Sequence, residues 1–188
     1  MGFASMAVPP GMCNHLPRAC VSHVIGQQPY QWISANLSGE ASPVPMIPQT
    51  SDLSRFVEAQ RDTYQQALSE LRAGTKQTHW MWFIFPQLAG LGQSSTSRHY
   101  ALKSIEEAQA YLADPVLGAR LRECTETVLG LSGRSAMAIF GGIDTVKFRS
   151  SLTLFCRAAG ADSPFRKALD KYFDGEMDAR TLELLDRT

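Results

Sequence analysis

From Asp52 onward the apolar positions recur at helical spacing. Leu53, Phe56, Val57, Tyr64, Leu68 and Leu71 share one 3.6-residue face. Ser51 or Asp52 is placed to cap its start and Gly74 to stop it. Ser104-x-x-Glu107 has the form of a capping box and opens a helix through Ala110, Tyr111 and Leu112. Asp114-Pro115 ends that helix and begins another, whose stripe is Leu117, Leu121, Cys124, Val128 and Leu131. Asp144 opens a helix with Phe148, Leu152, Phe155 and Ala159 on one side. Ser163-Pro164 opens the next, through Phe165, Ala168, Leu169, Tyr172 and Phe173 to a stop at Gly175. A short helix is predicted from about Asp178 to Leu185.

One segment does not declare its period. His79-Trp80-Met81-Trp82-Phe83-Ile84-Phe85-Pro86 is aromatic enough for a buried strand. No second segment offers it a strand partner, and a lone strand leaves its backbone groups unpaired. The expectation is therefore a central buried helix ending near Pro86. The pattern predicts an all-α fold, a single compact multihelical domain of about seven or eight helices over residues 51–188. No internal repeat of solenoid period is visible.

The first fifty residues are different. They hold seven of the ten prolines, one basic residue (Arg18) and one acidic residue (Glu40). Such a segment buries too little apolar surface to offset chain entropy, so residues 1–50 are predicted to be a disordered Pro-rich tail. Two origins stand for it: a native tail, or an extension upstream of a start near Met46. Cys13, His15, Cys20 and His23 are zinc-type ligands in C-x-H-x4-C-x2-H order. Pro17 interrupts them and little apolar sequence flanks them, so the grouping is read as accidental and no metal site is expected.

Composition removes several function classes. The 18 basic and 18 acidic side chains balance, which argues against nucleic acid as a partner, because phosphate-driven affinity needs clustered positive charge. No apolar run reaches the ~18 residues of a membrane span, so no membrane association is expected. No secretory or Arg-rich transit pattern is seen. Four cysteines in a chain this long make no disulfide framework. A reduced, cytoplasmic setting and a monomer or weak homo-oligomer are the expectations, with no cofactor.

Several stretches are distinctive together. They are Lys76-x-x-His79-Trp80-Met81-Trp82-Phe83-Ile84-Phe85-Pro86-Gln87, Gly90-Leu91-Gly92-x-Ser94 and Asp114-Pro115-Val116-Leu117-Gly118-x-Arg120-Leu121. Ile139-Phe140-Gly141-x-x-Asp144-x-x-Lys147 and Ser150-Ser151-Leu152-Thr153-Leu154-Phe155 complete the set. Over about Asp52 to Leu185 the chain resembles the domain-of-unknown-function 1810 family, small proteins sometimes mislabelled calpastatin. The resemblance implies an all-helical fold and implies no activity. A calpastatin would be a disordered repeat inhibitor, and this compact apolar sequence does not resemble one.

Candidate chemistry lies where polar groups interrupt apolar sequence. Lys76, His79, Trp80 and Gln87 flank or open the aromatic run. Asp144, Lys147, Ser150 and Ser151 follow the Gly141-Gly142 pair. Glycines ahead of a helix let backbone approach a ligand, and free N–H groups at its start favour an anion. Lys147, read in the first turn, is unfavourable there unless an anion accompanies it. These eight residues are predicted to line a pocket between the two segments for a small anionic ligand, phosphate- or nucleotide-like, with aromatic rings stacking on its base. The ordinary alternative makes Asp144 a cap, Lys147 a solvated charge and the serines packing residues. The domain is then a non-catalytic protein-interaction or structural module with no small-molecule site. Lys147 with Ser150 or Ser151 as base and nucleophile, and His79 as a general base, are weaker readings, and enzymatic activity is left open. Cys124 and Cys156 fall on apolar faces and read as inert core thiols.

Overall fold

The computed structural model describes residues 52–187. The predicted tail over residues 1–50, with the Cys13, His15, Cys20 and His23 grouping, lies outside the described residues. Ten helices follow one another: α1 (Ser54–Arg61), α2 (Tyr64–Arg72), α3 (Met81–Ile84), α4 (Ser95–His99), α5 (Ile105–Ala113), α6 (Leu117–Gly130), α7 (Ala136–Phe140), α8 (Gly142–Ala159), α9 (Pro164–Phe173) and α10 (Ala179–Leu185). The fold is all-α. Among the described residues strand pairing is confined to one parallel bridge, Leu88 with Leu102. No described helix is long and apolar enough to cross a membrane.

The single helix expected before Gly74 is broken into α1 and α2. Thr63 Oγ1 donates back to the Ala59 carbonyl at 2.5 Å, a bond that competes with the backbone ladder and bends the chain. Gly74 ends α2 at φ +68°. Its N–H donates to Leu71 O at 2.9 Å and Thr75 N–H to Glu70 O at 3.1 Å, the paired bonds of a Schellman cap. The capping box forms with a variation. Ser104 Oγ accepts from Glu107 N–H at 3.3 Å, but Glu107 reaches one residue further back and accepts from Lys103 N–H at 2.6 Å.

The centre of the molecule is α8, not the aromatic run. Residues 150–156 are all buried, so every side of that half-helix meets protein. α5, α7, α9 and α10 pack around it. Small hydroxyl residues allow the close approach because they satisfy themselves on the helix. Thr153 Oγ1 donates to Arg149 O at 2.9 Å and accepts from Asp178 N–H at 2.9 Å. The aromatic segment instead forms a single helical turn, α3, with irregular chain on both sides. Phe85 packs edge-on against Phe148 and Phe140, with ring centroids 4.9 and 6.2 Å apart. The residues after Pro86 find the pairing that the sequence reading lacked: Ala89 N–H donates to Leu102 O at 2.8 Å and Leu102 N–H to Gln87 O at 2.9 Å. That bridge closes a loop carrying α4 over the N-terminal half of α8.

Candidate functional site

A cleft of about 610 Å³ lies between this loop and the N-terminal half of α8. One wall is Trp82, Gln87, Leu91, Gly92, Gln93, Ser94 and Ser97; the other is Ile143, Val146, Lys147 and Ser150, with Asp178 and Arg180 at the start of α10. The α8 residues stand at i, i+3, i+4 and i+7, one continuous helix face. Ile143 and Val146 are 77% and 61% exposed, unusual for aliphatic side chains on a packed helix. Ser94 caps α4 by accepting from Ser97 N–H at 3.1 Å. Gly92 must be glycine here, since a Cβ would come within 2.5 Å of Ser97 Cβ. That close approach holds the loop tight along the rim.

Behind the Lys147 wall two lysines share one carboxylate. Asp144 Oδ1 accepts from Lys147 Nζ at 2.6 Å and Oδ2 from Lys76 Nζ at 2.7 Å. Lys76 reaches this position because its backbone N–H donates to the Ile139 carbonyl at 2.7 Å, fastening its loop to the end of α7. Its ammonium also donates to Thr78 O at 2.7 Å and lies 5.1 Å from the Trp80 ring centroid. Lys147 Nζ sits 4.2 Å from the Trp82 ring centroid, a cation–π contact on the cleft wall. Burial alone would raise the Asp144 carboxyl; the hydrogen bonds and charges of Lys147 and Lys76 outweigh it and hold the pKa below the ordinary value. Two cations on one anion leave this group with a formal charge of +1.

The loop bearing Lys76 is shaped by Glu70, a residue the sequence reading did not single out. Its buried carboxylate accepts five bonds: Gln66 Nε2 at 3.0 Å, Gln77 N–H at 2.7 Å, Thr78 N–H at 3.0 Å, Thr78 Oγ1 at 2.7 Å and Trp80 Nε1 at 2.7 Å. Burial pushes the carboxyl up, but the bonds from Thr78, Gln77 and Gln66 together win and bring it down to about 2. The only sequence signal is an acidic residue on the inner face of an amphipathic helix, just ahead of a Gly-ended turn.

A family model described as "Protein of unknown function (DUF1810)" matches residues 50–185. The chain belongs to this family. No curated protein matches it. Among solved structures it is similar to the crystal structure of the conserved hypothetical protein Rv1873 from Mycobacterium tuberculosis. That likeness is at 52% identity and a TM-score of 0.71, over 73% of this chain and 98% of the other.

Within this DUF1810 domain the eight predicted site residues separate into three groups. Gln87, Lys147 and Ser150 line the cleft. Asp144 and Lys76 stand behind it as the ion-paired support of Lys147. Three lie elsewhere. Trp80 is buried and tied to Glu70, Ser151 is enclosed inside α8 with its Oγ buried, and His79 is exposed and lines no cleft. Trp82, read from sequence as core, forms cleft wall. Helix α8 begins at Gly142, so Lys147 is in its second turn, and its partner is Asp144 rather than the helix terminus. Gly141 turns the chain between α7 and α8 at φ +74°. Ser150 Oγ donates to Lys147 O at 3.0 Å and accepts from Gln87 Nε2. Its proton is committed to a carbonyl, which is not the arrangement of an activated nucleophile. Cys124 is buried and its thiol is pushed up to about 12 by that burial. Among the described residues no group of three or more His, Cys, Asp or Glu is placed to hold a metal ion.

Proposed function

We propose that the cleft binds a small anionic ligand with a planar or apolar portion, of phosphate- or nucleotide-like chemistry. Lys147 carries this reading. Its ammonium has one oxygen partner among the described residues, Asp144, and that carboxylate is already shared with Lys76. A formal surplus of one positive charge therefore sits at the cleft wall, with the ammonium beside the Trp82 indole. Gln87, held by Ser150, offers a neutral polar contact beside it. Trp82, Ile143 and Val146 offer a flat apolar surface, the usual composition of a small-molecule site.

Titration of the full chain with ADP, by calorimetry and by melting temperature, tests the reading. Binding should raise the melting temperature by mass action. Trp82→Ala should weaken ADP at least tenfold, the loss of roughly 1.4 kcal/mol of stacking. ADP affinity untouched by Trp82→Ala would remove it.

A second reading, a protein-interaction module, is favoured by the apolar exposure alone. Met137 on α7 is 58% exposed, as Ile143 and Val146 on α8 are exposed, and exposed apolar side chains on consecutive helices suit a protein contact. Under that reading the unmodified chain does not bind ADP, and Ile143→Ser with Val146→Ser changes self-association in sedimentation.

A further inference from the structure

The loop between Leu88 and Leu102 has a second side. There it borders another cleft, of about 530 Å³, lined by Arg55, Ala89, Gly90, Gly92, Arg98, His99, Ala101 and Lys103. Three lining residues are permanent cations, a fourth is a histidine, and none is acidic. In a chain whose formal net charge is zero, that is a local concentration of one sign. The carboxylate paired with Arg55 is already committed: Glu107 Oε1 accepts from Arg55 at 2.9 Å and Oε2 from Lys103 N–H at 2.6 Å.

Arg55 is built into the floor. The Nη bonded to Glu107 also donates to Ala101 O at 3.1 Å, the other Nη donates to Asp52 O, and the guanidinium lies 4.4 Å from the Phe56 ring centroid. Its Nε is buried, yet donates to no acceptor among the described residues. A buried guanidinium N–H without an acceptor is costly and uncommon. Lys103 and Arg98 are exposed at the rim, and Arg98 also donates to Gln93 O. Gly90 and Gly92 complete the wall.

We infer that this second cleft is an oxyanion site, taking a phosphate dianion or the phosphoryl group of a larger ligand between Arg55, Arg98 and Lys103. Guanidinium groups match the fork of phosphate oxygens, and the ammonium adds a point charge. Gly92 belongs to the walls of both clefts, so the two adjoin at that residue and a larger ligand can engage both.

The test is calorimetric titration of the full chain with inorganic phosphate and, separately, with ADP. The double variant Arg98→Gln, Lys103→Gln leaves Arg55 and its Glu107 anchor intact, so the melting temperature should not move. It should weaken phosphate binding tenfold or more. Lys167→Gln, an exposed charge on α9 away from both clefts, should leave phosphate affinity unchanged. If ADP is lost both in the double variant and in Trp82→Ala, one ligand spans the two clefts. If phosphate is lost in the double variant while ADP is not, the site takes the free anion. Phosphate affinity unaffected by the double variant, or reduced equally by Lys167→Gln, overturns the site. Its failure is separate from that of the first cleft, which is read from ADP and Trp82.

Discussion

Two carboxylates organise neighbouring regions of this domain in opposite ways. Glu70 is enclosed by five neutral donors and, among the described residues, meets no cation. Asp144, one loop away, meets two cations at the back of an open cleft. Residues 76–82 run through both regions: Lys76 goes to Asp144, Thr78 and Trp80 go to Glu70, and Trp82 goes to the cleft wall. A carboxylate saturated with neutral hydrogen bonds fixes a loop and has nothing left to offer a ligand. A carboxylate divided between two lysines leaves charge unbalanced, and that imbalance is what a ligand can use. A buried, well-bonded acidic group is thus the folding device, and the less balanced one marks the site.

The sharpest way to break the comparison is Glu70→Ala. Five donors lose their acceptor, four of them on the stretch 73–80 that carries Lys76; the buried Trp80 indole N–H left unsatisfied costs about 1–3 kcal/mol, and the loop loses the group that fixes it. The expected loss is at least ~3 kcal/mol, read by urea denaturation. The same residue sets an acid limb. Its folded pKa of about 2 lies below the ordinary 4.5, so the unfolded chain takes up the proton first. The stabilisation, ~3 kcal/mol for a shift of this size, is present above about pH 4.5 and disappears as pH falls towards 2. Glu70→Ala should flatten that slope. An equally steep acid limb in the variant would show that other carboxylates produce it.

The two tryptophans on this stretch sharpen the contrast at smaller scale. Trp80 is buried, with its indole N–H on Glu70; Trp82 is half-buried, with one face on the cleft. Trp80→Ala should cost ~3–5 kcal/mol, as a core truncation does, and Trp82→Ala no more than about 2 kcal/mol. Equal costs at the two positions would mean that Trp82 is core after all.

Those tryptophans also show where the sequence stops informing. Periodicity places the stripes of α6 and α9 well, because Leu121, Cys124 and Val128, or Phe165, Ala168 and Leu169, are buried while the positions between them include exposed ones. It fails at α8, whose C-terminal half is buried all round. Ser150, Ser151 and Thr153 look polar in the sequence but are small and buried, Ser150 and Thr153 bonding their own helix and neighbours, so the amphipathic signal is blurred where burial is greatest. It fails again at residues 79–86, where apolar content cannot separate a core ring from a wall ring two residues away. Lys76, Gln87, Asp144, Lys147 and Ser150 were legible as polar residues set in apolar sequence, and they do come together. Glu70 and Arg55 were not, because their partners are 7–10 and about 50 residues away.

The smallest expected effect on stability is at Lys147, and it is the one that separates site from scaffold. Lys147→Met removes one of two lysines on Asp144. The carboxylate keeps Lys76, whose side chain is only 7% exposed and whose 2.7 Å contact does not depend on Lys147. Breaking a buried pair usually costs ~3–5 kcal/mol because a charge is stranded; here none is, and the methionine retains most of the stem against Trp82. The expected cost is therefore about 1 kcal/mol or less in melting experiments, set by the lost cation–π contact and hydrogen bond. The formal charge of the group falls from +1 to zero, and ADP binding should weaken about tenfold or more, the loss of one charge-assisted contact. Lys76→Met should behave differently, since it removes the buried partner and leaves Asp144 to the more exposed one, so its stability loss should exceed that of Lys147→Met. If Lys147→Met proves the more destabilising of the two, or leaves ADP affinity intact, then Lys147 belongs with Glu70 among the residues that hold the fold.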